Sequence, residues 1–512
     1  MKKTIKRLLA LVLAVIMLAS LAACKDEEAS GVTAEEILGT DAVTVGNYTL
    51  NAVELNYFYI DTITDFCNQY GSYISYLLNT SKPLNEQIVS EKTGQTWAEA
   101  FLEMAWENIK STYALYDLAV KNNYELPKAS KDSIAAMKTT LEEYATTYKY
   151  ESADAYLEEI YGVGASVETY QKYYEISLMA NGYYSFYANE LSYDDATLRD
   201  YEKDKLANYN SYNYTVYYLS AVKFRQGGTE GTDGSITYSD EEKAQAILDC
   251  KATADALASV TYADKDAFDA AIKAMDINAD IANPTVSTQK TDVLYTSLEE
   301  NFKEWLTSAD RQSNDITVVE KSSGKDDKKV IDGYYIVIFN GINDNQFALK
   351  NVRHLLVKFT GGSYNSTTGQ TTYTEAEKLA AYNEAQKLLV QWEAGDKSED
   401  SFADLAAKHT DDGNGDVGGL YEDIYPNQMV QSFNDWCYDP QRQPGDYGLV
   451  ETPYGWHIMF FSGDSDLTFR DFMISNEIAQ KDMKEWYDAL IKATTVTQLN
   501  LNYVNMALVL AG

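Results

Sequence analysis

From residue 217 onward the chain repeats itself at long range, so whatever fold it adopts there is built twice. Tyr217-Tyr-Leu-Ser-Ala-Val-Lys-Phe224 aligns with Val352-Arg-His-Leu-Leu-Val-Lys-Phe359, an offset of 135 residues. The same offset brings Ile236-Thr-Tyr-Ser-Asp-Glu-Glu-Lys243 onto Thr371-Thr-Tyr-Thr-Glu-Ala-Glu-Lys378. Both segments are capping boxes, Ser239 with Glu242 and Thr374 with Glu377, and each predicts a helix start after a Gly/Ser/Thr-rich loop. Further on, Phe302-Lys-Glu-Trp305 matches Phe433-Asn-Asp-Trp436, and Arg311-Gln312 with Asp315 matches Arg442-Gln443 with Asp446. Gly333-Tyr-Tyr-Ile-Val matches Gly455-Trp-His-Ile-Met. Strand, loop, helix and closing strand in that order predict two tandem α+β domains, 208–345 and 349–463.

Upstream the pattern changes. Residues 43–50 predict a short strand and turn, and Asn51 to about Asp204 carries helical periodicity. Trp97, Phe101, Ala105 and Ile109 recur every four residues, as on one buried face, while Pro127 and Gly162-Val-Gly164 separate successive helices. A helical domain over 43–207 follows, with no evident catalytic cluster. After Gly463, Phe472, Ala479, Met483, Trp486 and Leu490 share a helix face, and Leu499, Leu501 and Tyr503 alternate like a strand. Residues 464–512 are therefore expected to return as helix and strand to the helical domain.

The first residues bear on compartment. Lys2, Lys3, Lys6 and Arg7 precede an apolar run, Leu8 to Ala22. At helical rise such a run reaches about 23 Å, short of the roughly 30 Å of a bilayer core, which fits a signal peptide over residues 1–23. The run closes on Leu21-Ala-Ala-Cys24, which resembles the lipobox of bacterial lipoproteins. That resemblance implies a diacylglycerol on Cys24 and a bilayer as partner, since two acyl chains anchor stably where one does not. Residues 24–42 then read as a solvated tether. The formal charge of −36 excludes nucleic acid as a plausible partner and suits solubility at a crowded surface. Tyr (42) far outnumbers Phe (16), as at interfaces where a ring packs and a hydroxyl stays wet. Besides Cys24, Cys67, Cys250 and Cys437 give no disulfide framework or metal motif; they read as small buried hydrophobes, although a bridge between two of them stays open.

All three histidines, His354, His409 and His457, lie in the second copy. His354 and His457 sit inside apolar strand-like runs, where imidazoles satisfy each other or a nearby hydroxyl such as Thr452 or Tyr454. His409, on a polar helix end, reads as surface. Their spacing gives no metal-ligand signature.

Residues 349–463 resemble a parvulin-type peptidyl-prolyl isomerase. The motifs are Arg353-His-Leu-Leu-Val357, Ser401-Phe-Ala-Asp-Leu-Ala406, Thr410-Asp-Asp412, Gly415-Asp-Val-Gly-Gly419, Gln428-Met429 with Phe433, and Thr452-Pro-Tyr-Gly-Trp-His-Ile458. The resemblance implies that Met429, Phe433 and Val417 line a proline pocket, with Met429 and Phe433 on one helical face. It places Asp412 near the reacting carbonyl, with His354, His457 and Thr452 as a hydrogen-bonding core. No cofactor or metal is implied, because rotation about an Xaa-Pro bond breaks nothing. A lipobox, a helical chaperone-like segment and a parvulin unit together resemble the extracytoplasmic lipoprotein foldases of Gram-positive bacteria. That implies exported, partly folded proteins with Xaa-Pro bonds as partners, on the outer face of the cell membrane.

Two departures qualify the resemblance. The loop Thr360–Gly369 has no Arg or Lys, so a phosphate-directed specificity is not expected, and the usual Gly-Gly-Asp-Leu-Gly reads Asn414-Gly-Asp-Val-Gly418. At the 135-residue offset Leu219 stands where His354 does, and Tyr335 stands for His457, so the first copy is expected to be inactive. The competing readings are a holdase that grips chains without catalysis and a solute-binding lipoprotein; the intact set in the second copy favours the enzyme.

Overall fold

The computed structural model describes residues 33–510 apart from 279–283, 325–328 and 367. The leader and Cys24 lie outside the described residues. Two compact units emerge, one comprising the chain up to Ser192 together with Ile478 onward, the other Tyr193–Glu477.

The first unit is a helical bundle on a small sheet. Strand Asp41–Val45 pairs antiparallel with Tyr48–Asn51 on one side and Val496–Gln498 on the other. The expected tether therefore ends before Thr33: that residue caps the helix Ala34–Leu38, and Ile37, Ala42 and Val43 are already in the core. Asn51 and Glu54 form a capping box that starts helix Ala52–Tyr70. Helix Trp97–Lys121 begins on the Thr96/Glu99 box and buries Phe101, Ala105 and Ile109 completely. Helices Lys128–Tyr148, Ala153–Tyr161 and Val167–Glu190 complete the bundle. The returning strand falls at 496–498, ahead of the alternating Leu499, Leu501 and Tyr503. These lie in irregular chain; Leu501 and Tyr503 pack on the core, whereas Leu499 is half exposed. Alternation misplaced the strand because three apolar residues anchoring an irregular segment look the same in sequence.

Tyrosine accounts for much of this core. Tyr57 packs against Tyr161, Tyr170 and Tyr173, and the hydroxyls of Tyr161 and Tyr173 donate to the two carboxylate oxygens of Asp61 at 2.8 and 2.7 Å. Burial pushes the Asp61 carboxyl up to about 6, against the opposing pull of those hydrogen bonds. An unfolded Asp titrates near 3.9, so the folded state takes up a proton first, and this site gains stability as pH falls from about 7 to about 4. Hydrogen exchange over 52–70 and 167–190 is expected to slow between pH 8 and pH 5 by the equivalent of about 1–2 kcal/mol. Asp61→Asn, which keeps an oxygen acceptor but no titration, removes that dependence; an unchanged pH profile in the variant would disprove the assignment.

The second unit contains both repeats, and their sheets share one topology. In the first copy the order is Thr288–Leu294, Ser211–Ser220, Val330–Asn343, Ile316–Ser323; in the second it is Leu420–Ile424, Ala348–Lys358, Gly455–Thr468, Tyr447–Thr452. All neighbours are antiparallel. Each first long strand leads to a short hairpin and a capped helix, Asp240–Ala258 or Glu375–Glu393. In both copies the box glutamate also reaches back to the loop: Gly228 N donates to Glu242 Oε1 and Gly362 N to Glu377 Oε1, each at 2.9 Å.

The strand register corrects the sequence alignment. Gly455 faces Lys358, and Gly333 faces Ser220. A Cβ on either glycine would lie 2.2 Å from a facing carbonyl, that of Val357 or of Leu219. Leu219 is thus the counterpart of Val357, and Val216, paired with Val337, is the counterpart of His354, paired with Met459. The 3₁₀ turn Ala221–Phe224 takes up the difference between the strand register and the loop alignment. The shift is an odd number of residues, and side chains alternate faces, so it moves Leu219 to the opposite side of the sheet. There it packs under the helices and accepts from Cys250 Sγ at 3.4 Å. Cys250 and Cys437 are buried free thiols, whereas Cys67 is only half-buried, which corrects the reading of all three as core.

A buried ion pair ties the entry, link and exit of the repeats together. Arg470, 4% exposed, meets Glu202 at 2.5 Å and donates to Asn210 Oδ1 and to the carbonyls of Asp344 and Leu206. Asn345 is buried beside it, accepting from Ser211 Oγ and donating to the Tyr209 carbonyl. Glu202 also holds Arg199, which reaches Asp471.

Candidate active site

In the second copy, strand Ala348–Lys358 carries His354 and strand Gly455–Thr468 carries His457. The register sets Leu356 opposite His457 and His354 opposite Met459, so both imidazoles emerge on one face, two residues apart along the ladder. Their Nδ1 atoms lie 3.1 Å apart, and both rings are almost wholly buried. Beyond them the chain of contacts continues both ways. His457 Nε2 is 3.0 Å from Thr452 Oγ1, and His354 Nε2 is 3.1 Å from Asp412 Oδ2 and 3.0 Å from Asn414 Nδ2.

The ends of this chain fix much of its polarity. A carboxylate only accepts, so His354 Nε2 carries a proton toward Asp412. Burial, then the neighbouring His354, pushes His457 down to about 3, so it is neutral at physiological pH. A neutral His457 has one N–H and one acceptor nitrogen, so one ring nitrogen donates and the other accepts between His354 Nδ1 and Thr452 Oγ1. The Thr452 oxygen in turn accepts Tyr454 N–H at 3.2 Å. Every buried ring nitrogen is satisfied, which removes a desolvation cost of about 1–3 kcal/mol for each group otherwise left unpaired.

Asp412 ends the chain toward solvent. Its hydrogen bond to His354 holds the carboxyl far below the usual range despite partial burial; the Tyr421 hydroxyl at 2.8 Å and the Gly413 N–H at 2.8 Å add to the effect. Asp412 is therefore ionised at all ordinary pH. Burial and the contact with Asp412 push the Tyr421 phenol well up, so it remains a donor. Thr410 Oγ1 accepts the N–H groups of both Asp412 and Leu356, pinning the Asp412 turn to the His354 strand.

One side of the imidazole pair is aromatic. Phe433 meets His354 and His457 edge-on, with centroids at 5.4 and 5.5 Å, and Tyr421 stacks on His354 at 4.8 Å. Such pairs contribute about 0.5–1.5 kcal/mol each beyond their burial. Phe433 belongs to helix Gln431–Cys437 and is packed with Val352, Ile424, Val450, Met459 and Phe461; Met429 packs against this cluster from outside. Met429 precedes the helix, so the expectation that it shares a helical face with Phe433 through i, i+4 spacing is wrong, although both join one apolar cluster. Val417 does not join it: the residue is 57% exposed on the turn Gly415–Val417, and its carbonyl accepts from Arg353 Nη1, whose side chain lies on the face of the sheet opposite His354. His409 is exposed at the end of helix Glu399–His409, and Tyr454 is exposed rather than a partner of His457.

Sequence reasoning missed Tyr421 and Asn414. Both follow from Gly418-Gly419, where a left-handed turn delivers Asn414 against His354 and starts strand Leu420–Ile424, which carries Tyr421 beside it. A tyrosine two residues beyond the glycine pair, on the strand next to His354, was the available signal.

This geometry coincides with the family match. Residues 354–462 match the model of the PPIC-type PPIASE domain, or rotamase, and together with the site they define a parvulin-type peptidyl-prolyl isomerase domain. Two solved structures titled Peptidylprolyl Isomerase (PrsA), from Bacillus cereus and Bacillus anthracis, are similar at 21% and 17% identity, each over 29% of this chain. The matches span 50% and 59% of those chains, with a TM-score of 0.18 in both cases. No curated protein matches the chain.

Proposed function

We propose that the chain is an exported, lipid-anchored folding factor that catalyses cis–trans isomerisation of Xaa-Pro bonds in partly folded clients, through the site around His354 and His457. The observation that carries this reading is a hydrogen-bonded array, Thr452–His457–His354–Asp412, standing against the apolar cluster of Phe433 and Met429. A pure binder needs an apolar surface but not a buried, fully satisfied polar chain ending in an ionised carboxylate.

The reaction crosses a barrier of about 18–20 kcal/mol that comes from amide resonance. In the planar amide the carbonyl oxygen is electron-rich; in the twisted form that density returns to nitrogen. A fixed carboxylate beside the carbonyl therefore disfavours the planar forms relative to the twisted one, and an apolar clamp on the proline ring lets the other side rotate. Asp412 supplies the charge, and Met429 and Phe433 hold the ring. His354, His457 and Thr452 hold Asp412 in place without transferring a proton.

Leu21-Ala-Ala-Cys24 supports anchoring at the outer membrane face, and the helical unit supports a chaperone role beside catalysis. Met429→Ala leaves Phe433 and the histidines in place and is expected to lower kcat/KM on an Ala-Pro peptide about tenfold, equivalent to 1.4 kcal/mol of transition-state stabilisation. Exchange NMR measures the rate. Wild type and variant both at the uncatalysed rate would favour the holdase reading.

A further inference from the structure

The corrected register shows what the first copy holds where the second holds its catalytic array. Val216 replaces His354, and Tyr335 replaces His457. On the neighbouring strand Lys321 faces Gly333 as Thr452 faces Gly455, so Lys321 stands in the place of Thr452. Tyr218 stands for Leu356, and Phe302 keeps the place of Phe433, equally buried at 3%. The aromatic geometry is retained: Phe302 meets Tyr335 edge-on at 5.4 Å, as Phe433 meets His457 at 5.5 Å. The polar array is not. In its stead the Lys321 ammonium lies 4.8 Å from the Tyr218 ring centre and 5.5 Å from that of Tyr335, and those two rings pack at 5.2 Å.

We propose that the first copy is a non-catalytic binding site for extended peptide segments with an acidic residue next to proline, the ring resting on Tyr218 and Tyr335 and the acidic side chain meeting Lys321. The argument is one of opposite charge on the corresponding faces of the two copies: Lys321 takes the place of Thr452, at the other end of the array from Asp412. The active copy presents a carboxylate, Asp412, and repels an acidic neighbour of proline; the first copy presents an ammonium and attracts it. The Lys321 stem is half-buried while its ammonium lies over two rings at the surface, which fixes its position for an incoming carboxylate. Tyr335, which hydrogen-bonds the ammonium, then Tyr218 and Glu299 are the titratable groups that act on Lys321, and Lys keeps donors to spare for a ligand. Without the His pair and the carboxylate that the pair positions in the second copy, this site holds Xaa-Pro segments without turning them. The proposal shares with the isomerase reading only the class of client.

The test uses the full mature chain carrying Met429→Ala, which weakens the second site, and isothermal titration with Ac-Ala-Glu-Pro-Phe-NH2 and Ac-Ala-Lys-Pro-Phe-NH2. The acidic peptide is expected to bind more tightly than the basic one. Adding Lys321→Met is expected to weaken the acidic peptide by about fivefold, the scale of a partly exposed ion pair, and Lys321→Arg is expected to retain it. In the chain with Met429 intact, Lys321→Met is expected to leave Ala-Pro isomerisation unchanged, which also reports that the unit is folded. Equal binding of the two peptides, or an acidic-peptide affinity indifferent to Lys321→Met, overturns the proposal. Neither result bears on the isomerase reading, which fails only if the Met429 chain shows no rate enhancement.

Discussion

Gly419→Val is expected to abolish the isomerase site by unfolding its sheet edge. Gly419 has φ +74°, and a Cβ there would stand 2.2 Å from the His354 carbonyl oxygen and 2.9 Å from Ala406 Cβ. Neither neighbour can move: the His354 N–H donates to the Gly419 carbonyl at 2.9 Å, and Ala406 is fully buried on helix Glu399–His409. The left-handed conformation alone costs a side chain about 1–2 kcal/mol, and forcing atoms into a packed site adds typically 1–3 kcal/mol. The sum, about 2–5 kcal/mol, is a large part of the net stability of most domains. Gly445→Ala is the control. Gly445 has φ +90°, but nothing lies within 4 Å of its Cβ position, so only the conformational part applies. Thermal melting and the isomerisation rate should fall steeply for Gly419→Val and slightly for Gly445→Ala; comparable losses in both would show that the contact with His354 is unimportant.

The second large effect is acid sensitivity of the isomerase copy. In the unfolded chain His457 titrates near 6.5, whereas in the fold it is pushed down to about 3. Between those values the unfolded state binds a proton that the folded state refuses. The stabilisation is complete above about pH 7 and is lost as pH falls, by up to about 1.4 kcal/mol per pH unit. Asp412 acts in the same direction at lower pH. Its folded value lies far below the ordinary carboxylate range, so its contribution is full above about pH 5 and drains away below it. Urea unfolding followed by hydrogen exchange over 447–468 at pH 7.5, 5.5 and 4.5 should show a steady decline, and His457→Gln should flatten the upper part of it. A flat wild-type profile from pH 7.5 to 5.5 would contradict a buried neutral His457. Asp61 predicts the reverse trend in the helical unit, so one titration reads both units with opposite sign.

Much of this fold is legible in the sequence because periodicity and capping are local signals. Both capping boxes and the buried face of helix Trp97–Lys121 come from neighbours within a few residues, and the repeat is the recurrence of such local patterns 135 residues on. Register is different: it depends on pairing across more than a hundred residues. Lys223-Phe224 matches Lys358-Phe359 so well that it conceals the extra turn Ala221–Phe224, and Leu219 was set against His354 in place of Val216. At the site, residue types chosen for chemistry were visible: His354, His457, Asp412 and Thr452 are brought together. Residues that serve by position were less so. Met429 approaches Phe433 from a bend that no spacing announces, Val417 looks apolar and interior yet sits on an exposed turn, and Tyr421 arrives from a strand set by two glycines.

Trimming the chain to its catalytic segment has a consequence that follows from Arg470. Its guanidinium is desolvated, and its partners come from residues 202, 206, 210 and 344, all outside the segment that does the chemistry. Excising 208–345 deletes two of those partners, Asn210 and Asp344, and keeps the ion pair with Glu202, so a buried charge loses two hydrogen bonds worth about 1.5–3 kcal/mol each. A shortened protein that loses activity would then report an under-bonded cation rather than a missing catalytic contribution, and replacing Arg470 by Met in the same truncation separates the two causes.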